Sequence, residues 1–233
     1  MPLSVLITQC LQHDFVGPRG PHEPLPNKLH VGSVEARRLL GEDPTRGPVA
    51  QLLAWARGCS PEELAIVHVR DWHDDRDERQ REHLERFGAH CVRGTSGAEF
   101  VFPTPGRADE VVLDALDLND FEETPLSGVL AQLRARSPDG RLRVAVVGVW
   151  TEAKVTFLLY DLRTRGRVEE LATSSALCAS ASRAQHFNAL SQLERILGVR
   201  VFDGVGDLAQ WLRADAALPA AAPASAGFGP KIL

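Results

Sequence analysis

One lysine stands where a strand gives way to a helix, at position 154 of LRVAVVGVWTEAKVTFLLYDLRTRG (residues 142–166). Residues 142–149 form a predominantly apolar β run with Gly148 near its end. From Thr151 the period changes, and Val155, Leu158, Leu159 and Leu162 fall on one helical face. Lys154 is therefore expected in the first helical turn, above the carboxyl end of a buried parallel strand. Ligands of open α/β sheets lodge in that crevice, because strand ends and helix amino-ends converge there. A helix amino-end already presents positive charge and disfavours a cation. Lysine is also scarce: Lys28, Lys154 and Lys231 are three among 26 basic residues. An amine so placed is expected beside whatever small molecule the chain handles; the alternative is a side chain that snorkels to solvent.

The elements that must position it read as alternating strands and helices. Strand-like runs fall at 3–8, 64–69, 110–113, 143–149, 168–171 and 199–202. Helical patterns fall at 48–57, 125–136, 151–165, 183–197 and 205–213, and a short helix at 33–40 interrupts a long Pro/Gly/His-rich loop at 17–47. This alternation predicts a three-layer αβα fold, a six-stranded mostly parallel sheet with helices on both faces. One domain is expected over 1–213. An Ala/Pro-rich tail follows at 214–233, poor in large apolar groups until 228–233, and it reads as a frayed terminus or a docking peptide for a protein partner.

Composition narrows the class. With 233 residues and 44% hydrophobic content the core needs no staples. A formal net charge of −5 argues against a general nucleic-acid or anionic-membrane surface. No apolar run reaches the roughly 18 residues of a spanning helix. The opening MPLSVLITQC lacks a basic region and reads as fold rather than signal peptide. Cys10, Cys59, Cys91 and Cys178 have neither disulfide-framework nor CxxC spacing, so a reducing cytoplasm is expected. Gly94-Thr95-Ser96-Gly97 reads as a tight turn, not a phosphate loop, since no Lys-Ser/Thr pair or helix follows it.

Three stretches together resemble the isochorismatase-like cysteine hydrolases, the superfamily that includes nicotinamidase. VLITQCLQHDFV is similar to the opening strand with its Asp-x-Gln-x-Asp-Phe word. VHVRDWHDDRDERQREHLERFGAHCVRGTSGAEF is similar to the Arg-Asp-Trp-His, His-Cys-Val and Gly-Thr-x-Gly-Ala-Glu series. VVGVWTEAKV is similar to the Gly-Val-x-Thr-(Asp/Asn)-x-Cys-Val elbow. The resemblance spans residues 3 to about 212. It implies amide hydrolysis by an elbow cysteine, activated by a first-strand aspartate and a middle-strand lysine, because a free thiol is mostly protonated at neutral pH. Carried over residue by residue, the elbow cysteine position holds Lys154 and the aspartate position holds Cys10. The lysine position falls near Asp114–Ala115, and no lysine occurs there. The resemblance also implies homo-oligomers, a pocket walled by Asp14, Phe15, Trp72, Trp150 and Thr151, and a strained, often cis, peptide at Val149–Trp150. Asp14 matches a residue that ties a loop. Trp150, larger than its counterparts, is expected to fill the pocket.

Three functional readings follow. The first is a catalytically degenerate member acting in binding, assembly or regulation, with an occluded pocket; catalytic groups act as units, so losing one removes most of the acceleration. The second is a non-standard cysteine hydrolase of a small amide or related metabolite, using Cys10 with its pKa lowered by Lys154. The third is a sensor of small anions at Lys154. No cofactor is expected, with one exception: Asp71, His73 and His90 resemble the metal site of some nicotinamidases. Asp71 and His73 alternate onto one face of a strand end, and two imidazoles with a carboxylate suit Zn²⁺. His83 lies in a charged, helical insertion between them, with doubtful reach. The structural alternative is that these groups hydrogen-bond the loops. Cys91 is expected to pack beneath its loop.

Overall fold

The computed structural model describes residues 1–122 and 124–213. In chain order the elements are β1 (Leu3–Gln9), α1 (His13–Val16), α2 (Ser33–Leu40), α3 (Pro48–Arg57), β2 (Leu64–Asp71), α4 (Arg81–Phe87), β3 (Val111–Ala115), α5 (Leu126–Arg136) and β4 (Leu142–Val149). A kinked turn (Thr151–Val155) then runs into α6 (Thr156–Thr164), followed by β5 (Glu170–Ser174), β6 (Cys178–Ala179), α7 (Arg183–Leu197), β7 (Arg200–Phe202) and α8 (Val205–Leu212).

The strands make one sheet in the order β3-β2-β1-β4-β5-β7, with β6 paired to β4, and every pairing is parallel. All seven residues of β1 are buried. A strand covered on both faces reads as a continuous run rather than an alternation, and LSVLITQ does so. α8 closes the lower end: Ser4 Oγ donates to the Leu212 carbonyl and Arg143 Nη1 to that of Trp211 (2.9 Å).

Two expectations need correction. The sheet has seven strands rather than six, since β6 is two residues long and two residues carry no periodic signal. The fifth strand starts at Glu170, not 168. Arg167 turns with φ +49° and the Val168 N–H bonds back to the Leu162 carbonyl, so residue 168 still belongs to the exit of α6. The short helix in the 17–47 loop falls where expected, at Ser33–Leu40. The tail at 214–233 lies outside the described residues.

Candidate functional site

β1, β2 and β4 run parallel and in register, so their carboxyl ends deliver Cys10, Asp71 and the 148–155 elbow to one place. Gly148 makes the approach of β4 to β1 possible. It has φ +130°, and a Cβ there would lie 2.0 Å from the Gln9 carbonyl oxygen. The next peptide, Val149–Trp150, is cis. The Ala153 and Val155 N–H groups both bond to the Trp150 carbonyl, and the elbow is kinked at Ala153 (φ −117°, ψ −107°) rather than wound as a regular first α turn. Lys154 is thereby turned inward.

Its side chain does not snorkel: Lys154 is 6% exposed. Nζ donates to Asp71 Oδ1 (2.6 Å) and to the Asp117 carbonyl (2.8 Å), and Asp120 Oδ1 is 3.1 Å away. Two of the ammonium's three N–H donors are thus taken, and Asp120 adds a buried carboxyl at ion-pair distance whose oxygens have no hydrogen-bond partner. Burial opposes its charge, but the carboxylates of Asp71 and Asp120 outweigh burial and hold the Lys154 pKa well above its usual value. Burial likewise opposes the charge of Asp71, yet the ammonium wins and its pKa lies below the carboxylate range. Asp120 goes the other way, raised by burial and by the neighbouring Asp71 charge.

Cys10, 1% exposed, follows β1 with φ +51°. Its thiol points to Asp71 Oδ1 (3.4 Å) and accepts from Gln9 Nε2 (3.2 Å). Burial and then the Asp71 carboxylate push its pKa well up, and Lys154 offsets this only in part. The expected activation of this thiol by Lys154 is therefore outweighed, first by burial and then by the Asp71 carboxylate.

The imidazoles form a cluster beside this floor. One ring nitrogen from each of His73, His83 and His90 lies within 4.8 Å of the others. His73 Nδ1 meets Gln80 Oε1 (3.0 Å), which also accepts the Asp74 N–H, and His90 Nδ1 meets the Gly88 carbonyl (2.7 Å). Carbonyl oxygens only accept, so both Nδ1 atoms carry the proton and both Nε2 atoms offer lone pairs. His73 Nε2 is buried with no hydrogen-bond partner, and His83 Nε2 faces His90 Nε2 at 3.3 Å. Outer partners that fix the tautomer and leave converging lone pairs are what a metal ligand set needs, and three imidazoles suit Zn²⁺. Asp71, expected among the ligands, gives Oδ1 to Lys154, while Oδ2 stays 3.7 Å from His73 Nε2. The helical insertion does reach: α4 carries His83 into the cluster in its place.

Above the floor opens a cavity of about 350 Å³. Cys10, Asp71, His83, Glu152 and Lys154 supply its polar lining, and Phe15, Leu29, Phe87, Leu118, Val149, Trp150, Ala153 and Phe157 the rest. The expected occlusion by Trp150 is not found, because its indole N–H reaches the Leu29 carbonyl (2.7 Å) and the ring lies along the wall. Of the expected wall residues, Phe15 and Trp150 line the cavity. Asp14 instead accepts the Cys91 N–H (2.7 Å) against Gly97 and ties loops, with Cys91 fully buried beneath. Trp72 stacks under the Arg70 guanidinium (3.6 Å), and buried Thr151 bonds His186 (2.8 Å). Asp120, Phe87, Leu118 and Phe157 were not singled out from sequence. The stretch around Asp120 invites a search for lysine, not for a carboxylate.

Known structures share this architecture. An isochorismatase-like hydrolase from Alkaliphilus metalliredigens superposes with a TM-score of 0.69 at 22% identity, over 90% of this chain and 98% of its own. The pyrazinamidase of Pyrococcus horikoshii, solved in complex with zinc, gives 0.64 at 24% identity, over 87% and 99%. N-carbamoylsarcosine amidase from Thermoplasma acidophilum gives 0.60 at 20% identity, over 86% and 96%. No match is found among the curated proteins. Residues 37–203 match the family described as the isochorismatase domain, and with the parallel sheet, the elbow and the cavity at its strand ends, this chain belongs to the isochorismatase family.

Proposed function

We propose that this member of the family has lost the family's cysteine hydrolysis and acts by binding a small molecule, in a regulatory or assembly role. The observation that carries the reading is the ammonium of Lys154 at the nucleophile's seat, hydrogen-bonded to Asp71 and the Asp117 carbonyl with Asp120 at ion-pair distance. A protonated amine has no lone pair with which to attack a carbonyl. Among the described residues Cys10 is the only thiol lining the cavity, and its environment favours the protonated form, which is a poor nucleophile. Asp71, the nearest base, is held by the lysine. Structural neighbours include a nicotinamidase and an N-carbamoylsarcosine amidase, and the thiolate that the family resemblance implies for amide hydrolysis is not favoured by this arrangement.

His73, His83 and His90 would hold a divalent ion such as Zn²⁺, which would supply a Lewis-acidic point on the cavity wall. Gln80 and the Gly88 carbonyl keep the His73 and His90 rings in the ligating tautomer. The same reading includes a homo-oligomer in the cytoplasm, with residues 214–233 available to a protein partner. Among the described residues no helix is long and apolar enough to cross a membrane.

The test is turnover by the full chain. Nicotinamide, isochorismate and N-carbamoylsarcosine are expected to survive incubation unhydrolysed. Robust hydrolysis that disappears in Cys10→Ser or Lys154→Ala would overturn the proposal in favour of a rearranged cysteine hydrolase.

A further inference from the structure

The cavity is built mostly of carbon. Phe15, Leu29, Phe87, Leu118, Trp150 and Phe157 give it four aromatic and two aliphatic walls, and its 350 Å³ suits a molecule of about two fused rings.

Each polar side chain that touches the cavity is already partnered within the protein. Lys154 has Asp71, Asp117 and Asp120; the Cys10 thiol has Asp71 and Gln9. Glu152 accepts the Ser180 hydroxyl, His83 faces His90, and the Trp150 N–H is given to the Leu29 carbonyl. A carboxylate entering here meets no free donor. An ammonium meets carboxylates already engaged by an internal cation or a hydroxyl. A carboxylate's charge is thus dehydrated without a counter-group, which is heavily unfavourable. An ammonium finds one carboxylate without a cation, that of half-buried Glu152, which already holds the Ser180 hydroxyl. An uncharged apolar molecule needs neither and buries its surface against the aromatic walls.

We infer that the ligand is an uncharged, largely apolar molecule of bicyclic size, and that the Lys154–Asp71 pair, one ammonium against one carboxylate, serves as an internally neutral floor rather than as an anion receptor. This deepens the binding role proposed above and rests on it. It also replaces the anion-sensor reading.

The experiment uses three probes of equal size on the full chain, followed by titration calorimetry and melting shift: 2-naphthalenemethanol, 2-naphthoate and 2-naphthylmethylammonium. None has a bond that amide hydrolysis would cleave, so the outcome is independent of the turnover test. The alcohol is expected to bind and raise the melting temperature, with both charged probes at least tenfold weaker. Phe157→Asp, at a rim position 41% exposed and so compatible with folding, is expected to weaken the alcohol at least tenfold. Asp71→Asn, which leaves the ammonium short of a counter-charge, is expected to improve 2-naphthoate at least fivefold over the parent. The inference is overturned if either charged probe binds within tenfold of the alcohol, if no probe binds, or if Phe157→Asp leaves the alcohol's affinity unchanged. A folded Asp71→Asn with no gain for the carboxylate also overturns the neutral floor; should that variant fail to fold, Phe157→Asp still decides.

Discussion

A thiol, an amine and two carboxylates share one buried corner, and what each can do depends on which of them already has a partner. Lys154 and Asp71 satisfy one another at 2.6 Å, so the pull of the cation on Cys10 is outweighed by burial and by the carboxylate beside it. The thiol is left with burial and an adjacent carboxylate, both of which raise its pKa. The thiolate is the reacting form, so alkylation of Cys10 in the native chain is expected at least tenfold slower than that of half-buried Cys59 at pH 7.5. Raising the pH to 9 is expected to accelerate it little. Peptide mass spectrometry after timed iodoacetamide labelling reads both sites at once. A Cys10 rate that rises with a midpoint at or below about 8.5, the free-thiol value, contradicts this account. The place of Lys154 was legible from residues 142–166, because a strand-to-helix change of period is local. Its partners were not: Asp71 lies 83 residues away and Asp120 34, and no spacing rule pairs them.

At the scale of elements, α4 joins the histidine cluster to the cavity. His83 and Phe87 lie one turn apart on it, with ring centroids 5.0 Å apart, the first in the cluster and both on the cavity wall. The Phe87 carbonyl accepts the Lys28 N–H, and the neighbouring Leu29 carbonyl holds Trp150. A metal bound by His83 would therefore restrain two walls of the ligand pocket, and any resulting coupling must be reciprocal. His83→Ala is expected to weaken Zn²⁺ binding at least tenfold, as measured by competition with a chromophoric chelator. In the parent chain, Zn²⁺ is expected to tighten binding of the alcohol probe by the factor by which the probe tightens Zn²⁺. An unchanged zinc affinity in His83→Ala would return the third ligand to Asp71. Sequence gave His73 and His90 readily, since the first lies beside a strand end and both sit in recognisable words. The reach of His83 depended on how α4 folds back over the loop, a tertiary matter. The two-residue β6 was invisible for the opposite reason, being too short for any period to register.

Across the whole molecule, the parallel sheet puts titratable groups in places that water does not reach, and the stability of the chain should record this. His68 is fully buried on β2 between Thr8 Oγ1 (2.7 Å) and Glu110 (3.3 Å), and burial lowers its pKa. Burial also lowers that of His30 and pushes His186 down to about 4. In the unfolded chain these imidazoles titrate near 6.5. A histidine with a lowered folded pKa contributes stability that is complete above the unfolded value and is lost as pH falls through it, because the unfolded state takes up the proton first. His83 and His90 act in the same direction in metal-free protein. Asp120, with its raised pKa, opposes them: its contribution is present below the unfolded value near 3.9 and fades as pH rises. Asp71 is depressed and Lys154 raised, so their pair changes stability only below about pH 4 and above about pH 10.4, outside the histidine range. Asp161, also raised by burial, acts like Asp120, and several histidines against these two carboxyls leave a positive slope: urea unfolding of EDTA-treated chain is expected to show stability falling steadily from pH 7 to pH 5. Each net proton contributes about 1.4 kcal/mol per pH unit at full effect. His68→Gln, which can keep a hydrogen bond to Thr8 or Glu110 but cannot take up a proton, should flatten that slope by up to one proton. A stability profile level across this range, or a slope indifferent to His68→Gln, would mean that the buried imidazoles are not the neutral, dehydrated groups the fold makes them.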